Sequence, residues 1–315
     1  MRLFVDCPDR LTDWLPAGQH WVPGNAESLF PQERQLWSAL AGTSTLWLLP
    51  EIALAGPFWA RLIIIGEAPS SQFDAINELL RNGLTLTEPM ACLALAGRGF
   101  HGQRGRAWAA SPGNLHLIAA LPGDLPVEHA AALTALPAVA AAKAIHTLSK
   151  GELSAGIKWI NDILISGRKV AGVITSTQVL GHSITQVVYG IGVNVAGAPV
   201  VAPTLTVPEV GSLAGAGLNV SLREVLIQLL AGIERLCRSL VHNGPPSVLE
   251  AYRSYSLVIG REVCIFEDSI EDEPRDAAGP ECLIARGVVR DILPDLTLHI
   301  DGVSEPVARG RLVFA

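Results

Sequence analysis

Apolar residues run unbroken through Leu62-Ile-Ile-Ile65 after Arg61, which predicts a strand buried on both faces. A short amphipathic helix follows from Asp74 to Arg81, ending at Asn82-Gly83, and Met90 to Ala96 reads as a second strand. Glu128 to Lys150 is alanine-rich with good helix propensity, and Pro137 is expected to kink or divide it. Three β-branched runs, Ile157–Ile165, Lys169–Gln178 and Ile184–Val195, are punctuated by Gly and Asn as consecutive antiparallel strands are. Ser166-Gly-Arg-Lys169 makes the first turn between them. Ser221-Leu-Arg-Glu224 is a capping box opening a long amphipathic helix to about Leu240, which Gly244-Pro-Pro246 breaks. Beyond Ser256 the chain alternates short strands and turns: Arg261–Glu267, an acidic loop from Asp268 to Pro280, Glu281–Ile292, Leu296–Asp301 and Pro306–Phe314.

These elements predict an α+β fold with mixed or antiparallel sheets packed against helices, followed by a small β module the size of an SH3-like barrel. The expected division is residues 1–60, whose pattern of tryptophans and prolines assigns no role, then 61–255 and 256–315. A length of 315 residues, about twice that of a common domain, agrees with more than one unit. With 49% hydrophobic and 17% charged residues, a disordered chain is excluded. The formal charge, 23 − 30 = −7, disfavours general attraction to nucleic acid or an anionic membrane. Residues 1–60 also lack a helix-turn-helix pattern with basic reading positions. Cys7, Cys92, Cys237, Cys264 and Cys282 are odd in number and contain no CxxC pair, which predicts a reducing, cytoplasmic setting. The N-terminus lacks the apolar core of a signal peptide. The greasiest stretch, Leu46 to Ile65, is interrupted by Pro50, Glu51, Pro57 and Arg61, so neither export nor a membrane span is expected.

The chemistry concentrates in three places. Gly97 to Trp108 offers Arg98, Arg104 and Arg106 among glycines, and no Asp or Glu occurs from Pro89 through Gly123. Glycines let backbone N–H groups approach an anion and arginines add charge-assisted bonds, although a solvated turn fits such a loop equally well. Gly97-x-Gly-x-x-Gly102 matches the dinucleotide fingerprint in letters only, because two more glycines and a proline follow where its helix must run. The second place is Lys158-Trp-Ile-Asn-Asp162; read as one strand, it puts Lys158 and Asp162 on one face about 7 Å apart. Each alone fits a surface lysine or a turn. The third is Gly190-Ile-Gly-Val-Asn194, whose glycines permit close approach and whose Asn can both donate and accept, as an adenine edge requires or as a buried backbone contact would.

Taken in order with Ser70-Ser-Gln72, Arg104-Gly-Arg-Ala-Trp108, Ser111-Pro-Gly-Asn-Leu115 and Arg168-Lys-Val-Ala-Gly172, these motifs resemble the biotin protein ligase family of the biotin/lipoate ligase superfamily. The resemblance runs from about Ile63 to the C-terminus. It implies a class II synthetase-like ligase fold and a two-step reaction. Biotin and Mg2+-ATP form biotinyl-5'-AMP, and a lysine of a biotin carboxyl carrier domain of a carboxylase then takes the acyl group. By the same resemblance, Lys158 and Arg106 are catalytic. Ser70, Ser71, Gln72, Arg98, Gly99 and Gly172 border biotin. Arg104, Arg106, Trp108, Asn161, Asp162, Lys169 and Asn194 hold ATP or the adenylate, with Asp162 and Lys169 orienting the site or a metal and no dedicated metal site assigned.

The chain departs from the family pattern in lacking its Gln just before the Gly-Arg-Gly, in carrying Ile160 for Pro, and in placing Thr175 where a Glu is usual. Two alternatives therefore stand beside a biotin ligase: a lipoate or octanoate ligase or transferase, and a catalytically silent relative that binds a ligand or partner. Residues 1–60 do not resemble the family's DNA-binding winged helix, so no specific DNA binding is expected. An exposed sheet edge would permit a homodimer.

Overall fold

The computed structural model describes residues 1–14, 20–49, 51–52, 54, 56–201, 209–267 and 282–315. The acidic loop expected from Asp268 to Pro280 lies outside the described residues. The N-terminal segment forms β1 (Arg2–Val5), β2 (Val22–Gly24), α1 (Pro31–Ala41) and β3 (Leu46–Leu49). Then come β4 (Arg61–Ile65), α2 (Gln72–Arg81), β5 (Met90–Ala94), β6 (Leu115–Pro126) and α3 (Ala130–Leu148). Four strands follow: β7 (Ala155–Lys158), β8 (Asp162–Ile165), β9 (Arg168–Leu180) and β10 (Ser183–Val193). Helices α4 (Leu222–Asn243) and α5 (Pro246–Ser254) precede β11 (Glu262–Phe266), β12 (Leu283–Ile292), β13 (Leu298–Ile300) and β14 (Arg311–Phe314).

Ten strands form one sheet in the order β2-β3-β1-β4-β5-β6-β10-β9-β8-β7. β4 pairs in parallel with β1 and β5, and the remaining pairs are antiparallel, so the sheet is mixed. Side-chain alternation explains the unbroken apolar run at β4. Leu62 and Ile64 enter the core under α3, α4 and α5, whereas Ile63 and Ile65 enter the core under α1 and α2. The strands β1, β2 and β3 of the N-terminal segment are thus continuous with the rest of the sheet rather than a separate appendage. Their anchor on the α1 side is Glu33, 3% exposed, which pairs with Arg2 and Arg61.

Helix α3 is one helix through Pro137, neither divided nor ended there. It is buried against the sheet and α4, and that packing outweighs the missing backbone donor. The surrounding segment, Val127–Leu148, is long and apolar enough to cross a membrane, a property of α3 rather than of Leu46–Ile65, but most of it is buried inside the protein. Ser221 and Glu224 cap α4 reciprocally as the sequence pattern requires. α4 continues to Asn243, and the prolines then open α5 instead of ending helical structure. The C-terminal strands make a four-stranded antiparallel sheet, β13-β12-β11-β14, whose apolar residues join the core under α3 and α4.

Candidate functional site

The cleft lies on the sheet face shared with α2, where β10, β9 and β6 pass beyond that helix. On β10, Tyr189, Ile191 and Val193 turn to the α3 side, which leaves Gly190 and Gly192 on the open face. Gly192 pairs with Gly172 on β9 and with His116 on β6. The glycine pair makes a flat floor on which the Trp108 indole lies: a Cβ at residue 192 would stand 2.3 Å from the ring, and one at residue 172 would stand 3.4 Å away. Trp108 Nε1 donates to His116 Nδ1 at 3.2 Å, so the opposite ring nitrogen carries the proton and faces the Ser111 carbonyl at 3.2 Å. Burial lowers the His116 pKa to about 4 and keeps the ring neutral.

Lys158 and Asp162 are not successive residues of one strand. Lys158 ends β7, Asp162 begins β8, and they are direct cross-strand partners in a hairpin whose turn carries a cis Trp159–Ile160 peptide. The hairpin turn is tied down on both sides: Trp159 Nε1 donates to Leu296 O at 2.7 Å and Tyr252 Oη to Ile160 O at 2.8 Å. Asn161 Nδ2 donates to Val173 O at 2.7 Å, joining the turn to β9. Both charged partners are buried, Lys158 at 5% and Asp162 at 8% exposure. Burial lowers the Lys158 pKa to about 8; Lys169, Arg106 and Arg311 push the same way, and Asp162 opposes them. Burial raises the Asp162 carboxyl, but Lys169 and Lys158 outweigh it and hold it below the ordinary range. Lys169 Nζ sits 2.6 Å from Asp162 Oδ1 and 5.8 Å from the centre of the Trp108 ring.

Two cavities adjoin here and share Gln103, Arg106, Asn161 and Asp162. The first, about 170 Å³, runs from Ser71, Gln72 and Phe73 past Phe100 and His101 to Trp108, Lys169, Gly172 and Asn194. The second, about 380 Å³, is lined by Arg104, Lys158, Arg309 and Arg311 as well. One end is therefore apolar and the other is dense in positive charge. Gln72 is buried against the Cys92 thiol with both amide atoms otherwise unpaired among the described residues. Asn194 donates to Gly211 O at 2.9 Å while its carbonyl oxygen has no hydrogen-bond partner among the described residues.

Of the residues singled out in the sequence, Ser71, Gln72, Arg106, Trp108, Asn161, Asp162, Lys169, Gly172 and Asn194 line the first cavity, and Arg104 and Lys158 line the second. Ser70, Arg98 and Gly99 are not brought to either. The start of the loop is bonded to the β4–α2 connection, with Arg98 N donating to Ala68 O at 3.2 Å, and the Arg98 side chain turns outward to Glu67 at 3.2 Å. His101 faces the cleft instead. It pairs with Asp74 at 2.7 Å, linking the loop to the first turn of α2. Phe73, Phe100, His116, Arg309 and Arg311 carried no signal in the sequence that set them apart from core or surface residues.

The arrangement is a mixed sheet with helices on both faces, a glycine-arginine loop beside an indole platform and a buried lysine–aspartate pair. The biotin/lipoate A/B protein ligase family matches residues 70–194. A biotin–[acetyl-CoA-carboxylase] ligase of Paracoccus denitrificans is 30% identical over 215 residues, 66% of this chain and 87% of that relative. The bifunctional ligase/repressor BirA of Bacillus subtilis is 32% identical over 201 residues, 63% of this chain; the chain spans 60% of that relative's length. The biotin protein ligase of Aquifex aeolicus in complex with biotin and ATP shares the fold with a TM-score of 0.60 at 19% identity, over 81% of this chain and 99% of that one. The chain belongs to the biotin/lipoate A/B protein ligase family, and its relatives group it with the biotin protein ligases.

Proposed function

We propose that the protein activates biotin with ATP to biotinyl-5'-AMP and passes the acyl group to a lysine of a biotin carboxyl carrier domain of a carboxylase. The observation that carries this reading is the junction of the two cavities at Arg106 and Asp162, where an apolar slot meets a basic chamber. An acid bound along Gln72 and Phe73 would present its carboxylate there, to an α-phosphate held by Arg104, Arg106 and Lys158. A carboxylate oxygen attacks phosphorus, the α–β bridging bond breaks, and pyrophosphate leaves into the basic chamber. The carrier amine then attacks the acyl carbon and AMP departs. Two anions approach each other in the first step, so fixed cations facing the developing charge are the main source of rate. Trp108 and Asn194 supply the adenosine platform. Mg2+ bound to ATP would neutralise triphosphate charge. Among the described lining residues, Asp162 is the carboxylate available to it, which suits an ion held mostly by phosphates and water.

The proposed SH3-like module of 256–315 is supported by the separate four-stranded antiparallel sheet, whereas the catalytic unit proposed as 61–255 shares its large sheet with β1, β2 and β3 and so extends to the N-terminal strands. Residues 1–60 act as part of the large sheet, and we expect no specific DNA binding from them. A cytoplasmic location accords with unpaired cysteines. A homodimer through the β2 edge would pair a strand that is short and carries Pro23, features that weaken edge-to-edge pairing. A lipoate or octanoate substrate is the second reading, favoured by the absent family Gln. Pyrophosphate exchange into ATP, measured with biotin, lipoate and octanoate in turn, decides between them. Exchange with biotin alone supports the proposal; exchange with either other acid alone replaces it, and binding without exchange identifies a silent relative.

A further inference from the structure

The connection that delivers Ser71 and Gln72 to the cleft is held from outside the family-matched region. Gly66 follows the last residue of β4, and side chains of the N-terminal segment occupy both of its backbone polar groups. Its N–H donates to Asp6 Oδ1 at 2.7 Å, and its carbonyl accepts from Arg10 Nη1 at 3.0 Å. The fit is close, since a Cβ at residue 66 would meet Cys7 Cβ at 3.0 Å and Sγ at 3.2 Å. The clamp is itself rooted. β1 pairs with β4 just before it, and Leu11 and Trp14 just after it are buried in the large core. Downstream, Ala68 N donates to Ala96 O at 2.8 Å and Arg98 N to Ala68 O, so this connection also carries the start of the glycine-arginine loop.

We propose that Asp6 and Arg10 are positioning residues for the acid-binding end of the cleft. They set the β4–α2 connection, which in turn places Ser71 and Gln72 on one side and the loop beginning at Ala96 on the other. The inference rests on the reading that the α2 end of the cleft receives the acid. Both bonds join an ionised side chain to a backbone group, which makes them stronger than neutral pairs and leaves a backbone group unpaired when either is cut. Ser71 and Gln72 adjoin this connection directly, whereas the Trp108 indole rests on the Gly172–Gly192 floor of β9 and β10, so a shift of the connection acts on acid binding more than on ATP binding.

The test uses the full chain with Asp6→Ala and Arg10→Ala, read by biotin-dependent pyrophosphate exchange and by amide hydrogen exchange. Each variant should raise the KM for biotin by about tenfold while the KM for ATP stays within about threefold, the signature of lost acid positioning. Amides of residues 66–72 and 96–98 should lose protection while α3 and α4 keep theirs. Asp6→Asn retains an acceptor oxygen and should stay near the parent in both readouts. An unchanged KM for biotin, or both KMs rising together, overturns the proposal. If Asp6→Ala does not fold, Arg10→Ala against Asp6→Asn carries the same comparison. A parent chain that shows no exchange with biotin refutes the proposed function instead. Hydrogen exchange then decides the positioning role alone: protection lost only at 66–72 and 96–98 supports it, and unchanged protection there refutes it.

Discussion

Replacing Lys158 by alanine separates a catalytic charge from a structural one. The lysine is 5% exposed, and burial lowers its pKa from 10.5 to about 8. A shift of that size corresponds to roughly 3 kcal/mol by which the folded state disfavours the ammonium. Between about pH 8 and 10.5 the unfolded chain binds the extra proton, so stability rises with pH across that window, and below it the full penalty is present. Lys158→Ala removes the penalty, opens onto an existing cavity, and leaves Asp162 paired with Lys169 at 2.6 Å. Stability should therefore change little. Catalysis should not be spared, because losing one preorganised charge where negative charge develops costs on the order of a hundredfold or more in rate. Lys158→Arg should recover only part of it, since a planar fork replaces a compact charge. In the parent, acid-dependent pyrophosphate exchange should fall above about pH 8 as the ammonium deprotonates, the opposite direction to stability; the residual activity of Lys158→Ala should lack that limb. A folded Lys158→Ala protein that exchanges within about threefold of the parent would refute the assignment.

Three further outcomes are expected. Gly192→Ala places a Cβ 2.3 Å from the Trp108 ring, so the indole must leave its floor; the KM for ATP should rise about tenfold or more and the melting temperature should fall, as overpacking does. The hydrogen bond to the Gly102 carbonyl, followed by the Asp74 pair, raises the His101 pKa against partial burial. The clasp is thus complete below the ordinary histidine value and is lost as pH rises through the raised one. Proteolysis after Arg104 or Arg106 should quicken over that range, lose its pH dependence in His101→Ala, and slow when ATP and the acid are added. Gel-shift titration at physiological salt should show no submicromolar, competitor-resistant DNA binding, given a net charge of −7.

Local pattern alone determined the strand at β4, the capped helix α4, a tight turn at Ser166-Gly167 and the antiparallel order of β8, β9 and β10, because each depends on neighbours in the chain, whereas the first run expected as one strand is the β7–β8 hairpin and Arg168 and Lys169 already belong to β9. It also located most cleft residues, since glycine, arginine, lysine and asparagine stand out where apolar residues are the rule. Only the tertiary structure made Lys158 and Asp162 partners across a hairpin instead of neighbours on one strand, by tying Trp159 and Ile160 to distant residues. It also turned Arg98 outward and His101 inward, because the loop's first residues bond to the β4–α2 connection and that choice is invisible in a string of glycines and bases. Pro137 was overridden in the same way, by burial on two sides. The clearest case is residues 1–60, whose short strands carry no interpretable pattern by themselves. Their place follows from pairing β1 beside β4, a contact between segments nearly sixty residues apart that local chain preference does not encode.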